Sequence, residues 1–340
     1  MGIKESISGF IKGSDRQTWK ERISYFFVNM GNIPIMTLVN AYLSVFYVET
    51  LGMNEVTVGT MFLIARVFDG VNDPFIGFFI DRAKDSRFGK FRRILIIGTV
   101  ICSINYLAVW LGPAYVSDSM KVVIAYISYM LLGVTFPIMD ISLNSMLPVM
   151  TSDLGERNIL ATVKSIGYGI GGGVLNFAAP IIIGHYNSSV KSYLILTIVA
   201  VAVILSCSIG GIMGVHQKVD ISSTDRYKFK DLLRILTVRP VLISFATGLL
   251  HFTGSAFIAT SNAFYAQYIL GDISKLSIIS VLGAVLVPVT VLAPVIAQKI
   301  GKRRVYAAGL IIAGLGILVR LTAVNSSASG FIMMCVSTAL

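Results

Sequence analysis

Residues 66–74 read Arg66-Val67-Phe68-Asp69-Gly70-Val71-Asn72-Asp73-Pro74, a charged cluster inside an apolar stretch covering 56–80. On insertion scales a charge near the centre of a bilayer costs roughly 2.5–3.5 kcal/mol, so Arg66, Asp69 and Asp73 together cost about 8–10 kcal/mol if that stretch crosses a membrane. Something must offset such a cost. Helical spacing of i, i+3 and i+7 puts the three on one face, with Asp69 and Asp73 as i, i+4 neighbours. Two carboxylates and a guanidinium on one intramembrane face are the chemistry of a cation site with a balancing charge. Asn72 adds a neutral oxygen, the ligand type that hard cations such as Na+ prefer. Pro74 lacks an N–H, which frees a carbonyl one turn earlier. A further acid, Asp140, lies deep in another apolar stretch, in Phe136-Pro137-Ile138-Met139-Asp140. Three acids against one arginine leave a net negative site suited to Na+ or H+. A salt-bridge network that only locks helices together would use the same residues, but ionisable groups inside membranes mark ion or substrate paths more often, which favours the functional reading.

The elements that must position these residues are membrane spans. The chain is 55% apolar and 13% charged, with a mean hydropathy of +0.79, which does not describe a soluble domain. Nine full apolar runs, 24–48, 56–80, 94–113, 122–148, 159–184, 193–214, 241–269, 276–298 and 305–323, are each read as a transmembrane helix, and a tenth begins near Phe331. Ten residues of helix reach about 15 Å into a core about 30 Å thick, so the chain is expected to be cut short there.

The net charge of +11 follows topology rather than nucleic-acid binding. Loops on one side carry 22 lysines and arginines and loops on the other carry 3, Lys121, Lys191 and Lys275. The positive-inside rule puts the N-terminus and the long loop 216–240 in the cytoplasm, with the chain in the cytoplasmic (inner) membrane as a multi-pass protein. Cys102, Cys207 and Cys335 all fall within spans, with no disulfide framework and no metal-binding spacing. The first span is too long for a signal-peptide h-region and is read as an anchor. Gly167-Tyr168-Gly169-Ile170-Gly171-Gly172 spells a dinucleotide-binding fingerprint, but no strand precedes it, and Gly169 and Gly173 are instead read as a close helix contact. No Walker A or HExxH sequence occurs, so neither ATP-driven transport nor zinc proteolysis has support, and the chain is read as no enzyme, with no cofactor and no metal beyond a coupling Na+.

The loop 216–240 divides six spans from the rest. The expected organisation is a six-helix bundle with the cation site over 1–215, a cytoplasmic loop over 216–240, and an incomplete second bundle over 241–340. An echo supports it: Gly89-Lys90-Phe91-Arg92-Arg93-Ile94 with Gly98 is similar to Gly301-Lys302-Arg303-Arg304-Val305 with Gly309. Parallel six-span repeats with substrate between them near the midplane resemble the major facilitator superfamily. The fold class is therefore an all-α polytopic membrane protein of the major facilitator fold. Around Pro294, paired with Pro74, the positions matching Asp69 and Asp73 are Val289 and Ala293, so the acids belong to the first half alone.

Ala65-Arg66-Val67-Phe68-Asp69-Gly70-Val71-Asn72-Asp73-Pro74, the loop Asp81-Arg82-Ala83-Lys84-Asp85-Ser86-Arg87-Phe88-Gly89-Lys90-Phe91-Arg92-Arg93 and Met139-Asp140-Ile141 resemble the glycoside-pentoside-hexuronide:cation symporters, the family of the melibiose carrier. The resemblance runs over the first six spans. It implies that Asp69, Asp73 and Asp140 form the cation site, that Asn72 helps to select the cation, and that sugar and cation move together. It also locates departures. The galactoside-binding aspartate of the first helix falls at Ile33, with Asn32 beside it; a fourth-helix tryptophan of the sugar pocket falls at Asn144; a fifth-helix arginine falls at Ser165, with Lys164 one position earlier. Arg66, Asn32, Asn144, Lys164 and His251 are the candidate substrate contacts, with snorkelling toward the cytoplasm the competing role for Lys164 and plain packing that for His251. Asp81, Arg82, Arg87, Lys90, Arg92 and Arg93 are the candidate cytoplasmic gate. The expected partners are a sugar or glycoside, the coupling cation and the lipid bilayer, with no nucleic acid and a monomeric state. The alternatives are a transporter of the same fold for a non-sugar solute such as a lysolipid, and a non-transporting sensor or defective fragment.

Overall fold

The computed structural model describes residues 17–84, 86, 88–219, 237–277, 296, 300–320 and 332. They form eight long helices: α1 (Trp19–Leu38), α2 (Glu55–Arg82), α3 (Lys90–Leu111), α4 (Asp118–Met150), α5 (Leu154–His185), α6 (Val190–Gly214), α7 (Arg239–Phe264) and α8 (Lys302–Arg320). Each of the first seven expected spans and the ninth coincides with one of them. The eighth, 276–298, and the tenth lie outside the described residues apart from a few positions. Five described helices are long and apolar enough to cross a membrane. Every long window of α2 contains more than two charges, which is the cost its residues must offset.

Helix starts are set by polar caps beyond the apolar runs. Thr18 closes a capping box with Glu21 at the start of α1, the Thr18 N–H donating to the Glu21 carboxylate at 2.8 Å and the Glu21 N–H to Thr18 Oγ1 at 3.3 Å. Asn54 Oδ1 accepts from the N–H groups of Val56 and Thr57, and Asp153 accepts from the Glu156 N–H at 2.7 Å. The α5 cap lies six residues before the apolar run begins at 159, so the helix gains a polar first turn that hydropathy alone omits.

α1 packs on α5 and α6, α3 on α4 and α6, and α2 on α4. Close approach depends on small residues, since lipid offers no hydrophobic drive for helices to associate. A Cβ on Gly31 of α1 would stand 2.8 Å from the Ser208 nitrogen of α6, and one on Gly167 of α5 would stand 2.9 Å from the Phe26 carbonyl. Gly171, one turn on, meets Met30 in the same way, whereas Gly173 faces open space. The contact expected of Gly169 and Gly173 is therefore made through Gly167 and Gly171, on the face of α5 turned to α1. An aromatic cluster closes the end of this bundle opposite the basic loops: Phe46 and Tyr193 ring centroids lie 4.5 Å apart, Trp110 stacks on Tyr193 at 5.8 Å, and the Tyr47 hydroxyl donates to the Val109 carbonyl at 2.7 Å.

Backbone geometry repeats along the chain. Gly89 and Gly301, which precede α3 and α8, have φ of +84° and +90°, and each carbonyl accepts from the N–H four residues on at 3.3 Å. Only glycine enters that region without strain. α1 continues through π-helical turns at Val39–Leu43 and Phe46–Thr50 and stops at Leu51-Gly52; α7 continues through one at Tyr265–Ile269 and stops at Leu270-Gly271. Gly52 and Gly271 have φ of +67° and +65°. The last N–H groups close on the turn alike, Leu51 to Phe46 at 3.0 Å and Leu270 to Tyr265 at 3.2 Å.

Candidate functional site

Asp69 stands on the side of α2 that faces α4, where the chain has Gly133. A Cβ on Gly133 would collide with Asp69 Oδ1, so the absence of a side chain there makes room for the carboxylate. Oδ1 is buried and has no hydrogen-bond partner among the described residues, while Oδ2 lies 3.6 Å from a guanidinium nitrogen of Arg66. Asn72, on the same helix, donates to the Gly133 carbonyl at 2.8 Å, pinning α2 to α4 beside the carboxylate. Its own amide oxygen is thereby oriented rather than free to rotate. Arg66 is half exposed, at 51% of its side chain, and donates to Asn40 Oδ1 of the first π turn at 3.2 Å.

A second group lies between α1, α4 and α5 around Asp140. Asn32 Nδ2 donates to Asp140 Oδ1 at 3.3 Å, and Asn144 Nδ2 donates to both Asp140 Oδ2 and the Asp140 carbonyl at 2.9 Å. The Lys164 ammonium donates to Asn144 Oδ1 and lies 5.3 Å from the Tyr168 ring centroid. Lys164 thus points into the bundle and joins the Asp140 network instead of snorkelling toward the basic loops. Three of the expected substrate contacts, Asn32, Asn144 and Lys164, are here the partners of an expected cation ligand.

Asp73 connects the two groups. It is exposed, makes no hydrogen bond or ion pair among the described residues, and lies within electrostatic reach of Asp69, Asp140 and Arg66. The three carboxylates do not converge on a single point: among the described residues no trio of His, Cys, Asp or Glu side chains is close enough to hold a metal ion. The arrangement is a run of negative charge along the α2 and α4 faces, with Arg66 at one end and Lys164 at the other. His251 lies on α7, with its side chain outside the described residues.

The expected gate residues occupy the start of α3 and the end of α2. Lys90 Nζ donates to the Asp81 carbonyl at 2.9 Å, Arg82 stacks over Phe78 at 4.1 Å, and Arg92 donates to the Met213 carbonyl at 2.9 Å. Arg92 therefore caps the last turn of α6, where the helix dipole favours a cation. Arg93 is exposed, and Arg87 and Asp85 lie outside the described residues. Sequence reasoning missed Asn40, Gly133 and Tyr168. Asn40 shares its apolar run with Asn29 and Asn32 and nothing in the sequence sets it apart; Gly133 offered no signal either, because a glycine in a membrane helix reads as packing.

The chain matches the model of the MFS/sugar transport protein family over residues 24–340. It is 25% identical over 307 residues to the isoprimeverose transporter of Lactiplantibacillus pentosus, covering 88% of this chain and 64% of that protein. It is 30% identical over 158 residues to the uncharacterized symporter YjmB of Bacillus subtilis (strain 168), covering 46% of this chain and 34% of that one. The chain thus spans less than two thirds of the length of these relatives. The crystal structure of the nucleoside transporter NupG superposes with a TM-score of 0.60 at 10% identity, over 94% of this chain and 78% of that chain, which shows the fold. Its relatives are transporters rather than enzymes, and the chain belongs to the MFS/sugar transport protein family, as a multi-pass, glycoside-pentoside-hexuronide symporter-like member of the major facilitator superfamily.

Proposed function

We propose that the protein is a secondary transporter in which Na+ or H+ moves together with a glycoside or related sugar across the cytoplasmic membrane. The observation that carries this reading is the buried, unpartnered Asp69 Oδ1 beside Gly133, with Asp73 nearby lacking any partner among the described residues. Unsatisfied carboxylate oxygens inside a membrane are costly unless a cation or proton visits them. Among the described residues of this region, Asp69, Asp73 and Asp140 face Arg66 and Lys164, which leaves one negative charge for one monovalent cation. Asp69, Asp73 and Asn72 are the proposed cation ligands, and Asp140 completes the site if α4 moves toward α2 on loading.

The polar lining supports a sugar over an amphiphile. Asn32, Asn144, Lys164 and Tyr168 present amides, an ammonium and a phenol between α1, α4 and α5, groups that suit hydroxyls. The N-terminal six-helix unit 1–215 would hold the cation, with helices of 241–340 contributing the other wall of the sugar pocket, the basic loops in the cytoplasm, and a single protomer as the working unit. The test is uptake by the whole protein in liposomes, using a panel of radiolabelled glycosides with an imposed Na+ or proton gradient. Accumulation driven by either gradient supports the reading; equilibration without accumulation under both removes the coupling.

A further inference from the structure

Asn40 makes two contacts that point in opposite directions. Its side-chain oxygen accepts from Arg66 at 3.2 Å, and Arg66 is the ion partner of Asp69. Its main-chain carbonyl accepts from the Thr260 hydroxyl of α7 at 2.6 Å. Asp69, Arg66, Asn40 and Thr260 therefore form a continuous chain from the carboxylates of α2 to a helix on the far side of loop 216–240.

The place of this contact matters. Tyr268 donates to the Glu49 carboxylate, and the two residues occupy the same position in the matching turns Phe46–Thr50 and Tyr265–Ile269, three residues after the start of each and two before Leu-Gly. Contact between a residue and its repeat equivalent requires both to lie on the axis relating the repeats. α1 and α7 thus cross at that axis, and Asn40 and Thr260 meet about two turns away along the same helices. Two further side-chain hydrogen bonds from 237–277 to the first six helices lie toward the same end, Ser274 to the Pro180 carbonyl and Ser277 to the Phe177 carbonyl. Asn40 sits in a π turn, where the wider spacing disturbs the regular carbonyl ladder, a device common at functional sites.

We propose that Asn40 is the positioning residue that couples occupancy of the Asp69 site to the seating of α7 on α1. The proposal rests on the cation-coupled reading above. A cation at Asp69 competes with Arg66 for the carboxylate, which changes the pull of Arg66 on Asn40 and so the geometry of the carbonyl that Thr260 grips. Asn40 touches neither cation nor sugar in this role.

The experiment uses the whole protein in nanodiscs with Cys102, Cys207 and Cys335 replaced and spin labels at Ser117 and Lys275, on the α4 and α7 sides of the end opposite the basic loops. Distances are recorded during Na+ and pH titrations, and Na+ binding is followed separately by calorimetry. The unmodified protein is expected to shift its distance distribution on Na+ or proton addition. Asn40→Ala and Thr260→Val should each at least halve that shift while keeping Na+ or proton affinity within about threefold, because they cut the link and spare the carboxylates. Thr260→Ser, which keeps the hydroxyl, should restore it. A normal shift in Asn40→Ala overturns the role of Asn40 alone. No binding and no shift in the unmodified protein, with either cation, overturns the cation-coupled reading and the proposal with it.

Discussion

Asp69 depends on the residue it faces as much as on its own charge. With Oδ1 in the space a Gly133 Cβ would take, Gly133→Ala must displace the carboxylate or α4. Overpacking of this kind costs typically 1–3 kcal/mol, and changing a residue that positions a metal ligand typically lowers metal affinity roughly 10–100-fold. Calorimetric titration of Na+ into Gly133→Ala is expected to show that loss; unchanged affinity would place the cation elsewhere. Asp69→Cys and Asp73→Cys should each abolish Na+-stimulated uptake, since the proposed site uses both carboxylates as ligands, and retention of normal stimulation in both would sink the assignment. The acids were legible in the sequence because charge inside an apolar run has so few structural uses. Gly133 and Asn40 were not, because their roles come from what stands opposite them, and nothing in the run of residues records that. Lys164 shows the same limit, since one lysine in the fifth span fits both an outward and an inward rotamer, and only the Asn144 amide decides between them.

At the scale of the elements, hydropathy places the spans and caps fix their ends. The polar first turn of α5 lies outside the apolar run because Asp153 and the ion pair of Glu156 with Arg22, at 2.8 Å and 2.9 Å, hold it. Glu156 is 3% exposed at its side chain and Arg22 19%. Breaking a fully buried pair costs about 3–5 kcal/mol, and the N-terminus of α5 softens this for a carboxylate, so Arg22→Met should destabilise by about 2–3 kcal/mol. A smaller loss, read as the detergent-unfolding midpoint of the bundle, would mean that the pair is dispensable. The π turns were not legible at all, since an amphipathic pattern of period 3.6 says nothing of a local widening and the apolar run continues through it. Their matched geometry gives a prediction. Tyr268→Phe removes the hydrogen bond to Glu49, a contact to a charged group at an exposed site worth about 1 kcal/mol, or about fivefold in an equilibrium between closed and open forms at that end. Maleimide labelling of a cysteine at Ser189 should rise accordingly, and a fall would show that the contact does not hold that end shut.

For the molecule as a whole, the repeat was read from one echo, Gly89 with Gly301, because a positive φ leaves glycine as its trace in sequence; Gly52 and Gly271 carry the same trace at the ends of α1 and α7, but two isolated Leu-Gly pairs do not announce that those helices cross. The basic loops add direction. The described residues of 82–93 and the start of α1 lie at one end of the bundle, with Lys218 of the segment after α6 reaching Glu21 at 2.9 Å, while the hydrogen bonds of Tyr268, Ser274 and Ser277 to the first six helices and their turns lie at the other. A cysteine at Ser86 should therefore resist impermeant reagents in intact cells and react in inverted vesicles; labelling from outside would reverse the topology. The same end-to-end layout bears on coupling. Asp73 lies between the Asp69 and Asp140 groups, and like charges 4 Å apart at an effective dielectric of about 20 repel by roughly 4 kcal/mol, so loaded and unloaded forms of the proposed site would differ in how close α2 and α4 are able to come. A cation that draws Asp140 toward Asp73 must move Asn32 and Asn144 as well, because both are hydrogen-bonded to that carboxylate. These amides also line the proposed sugar pocket, so the two ligands act on one set of side chains from opposite sides. If the proposed coupling holds, linkage requires reciprocity: Na+ should raise sugar affinity by the same factor by which sugar raises Na+ affinity, within the usual 5–150-fold range of such couplings, about 1–3 kcal/mol. The check is a matched pair of titrations on the whole protein, sugar at saturating and zero Na+, and Na+ at saturating and zero sugar. Equal factors well above one are expected. A sugar affinity that is the same with saturating Na+, at low pH and in cation-free neutral buffer would separate the two sites and leave Asp140 a structural acid.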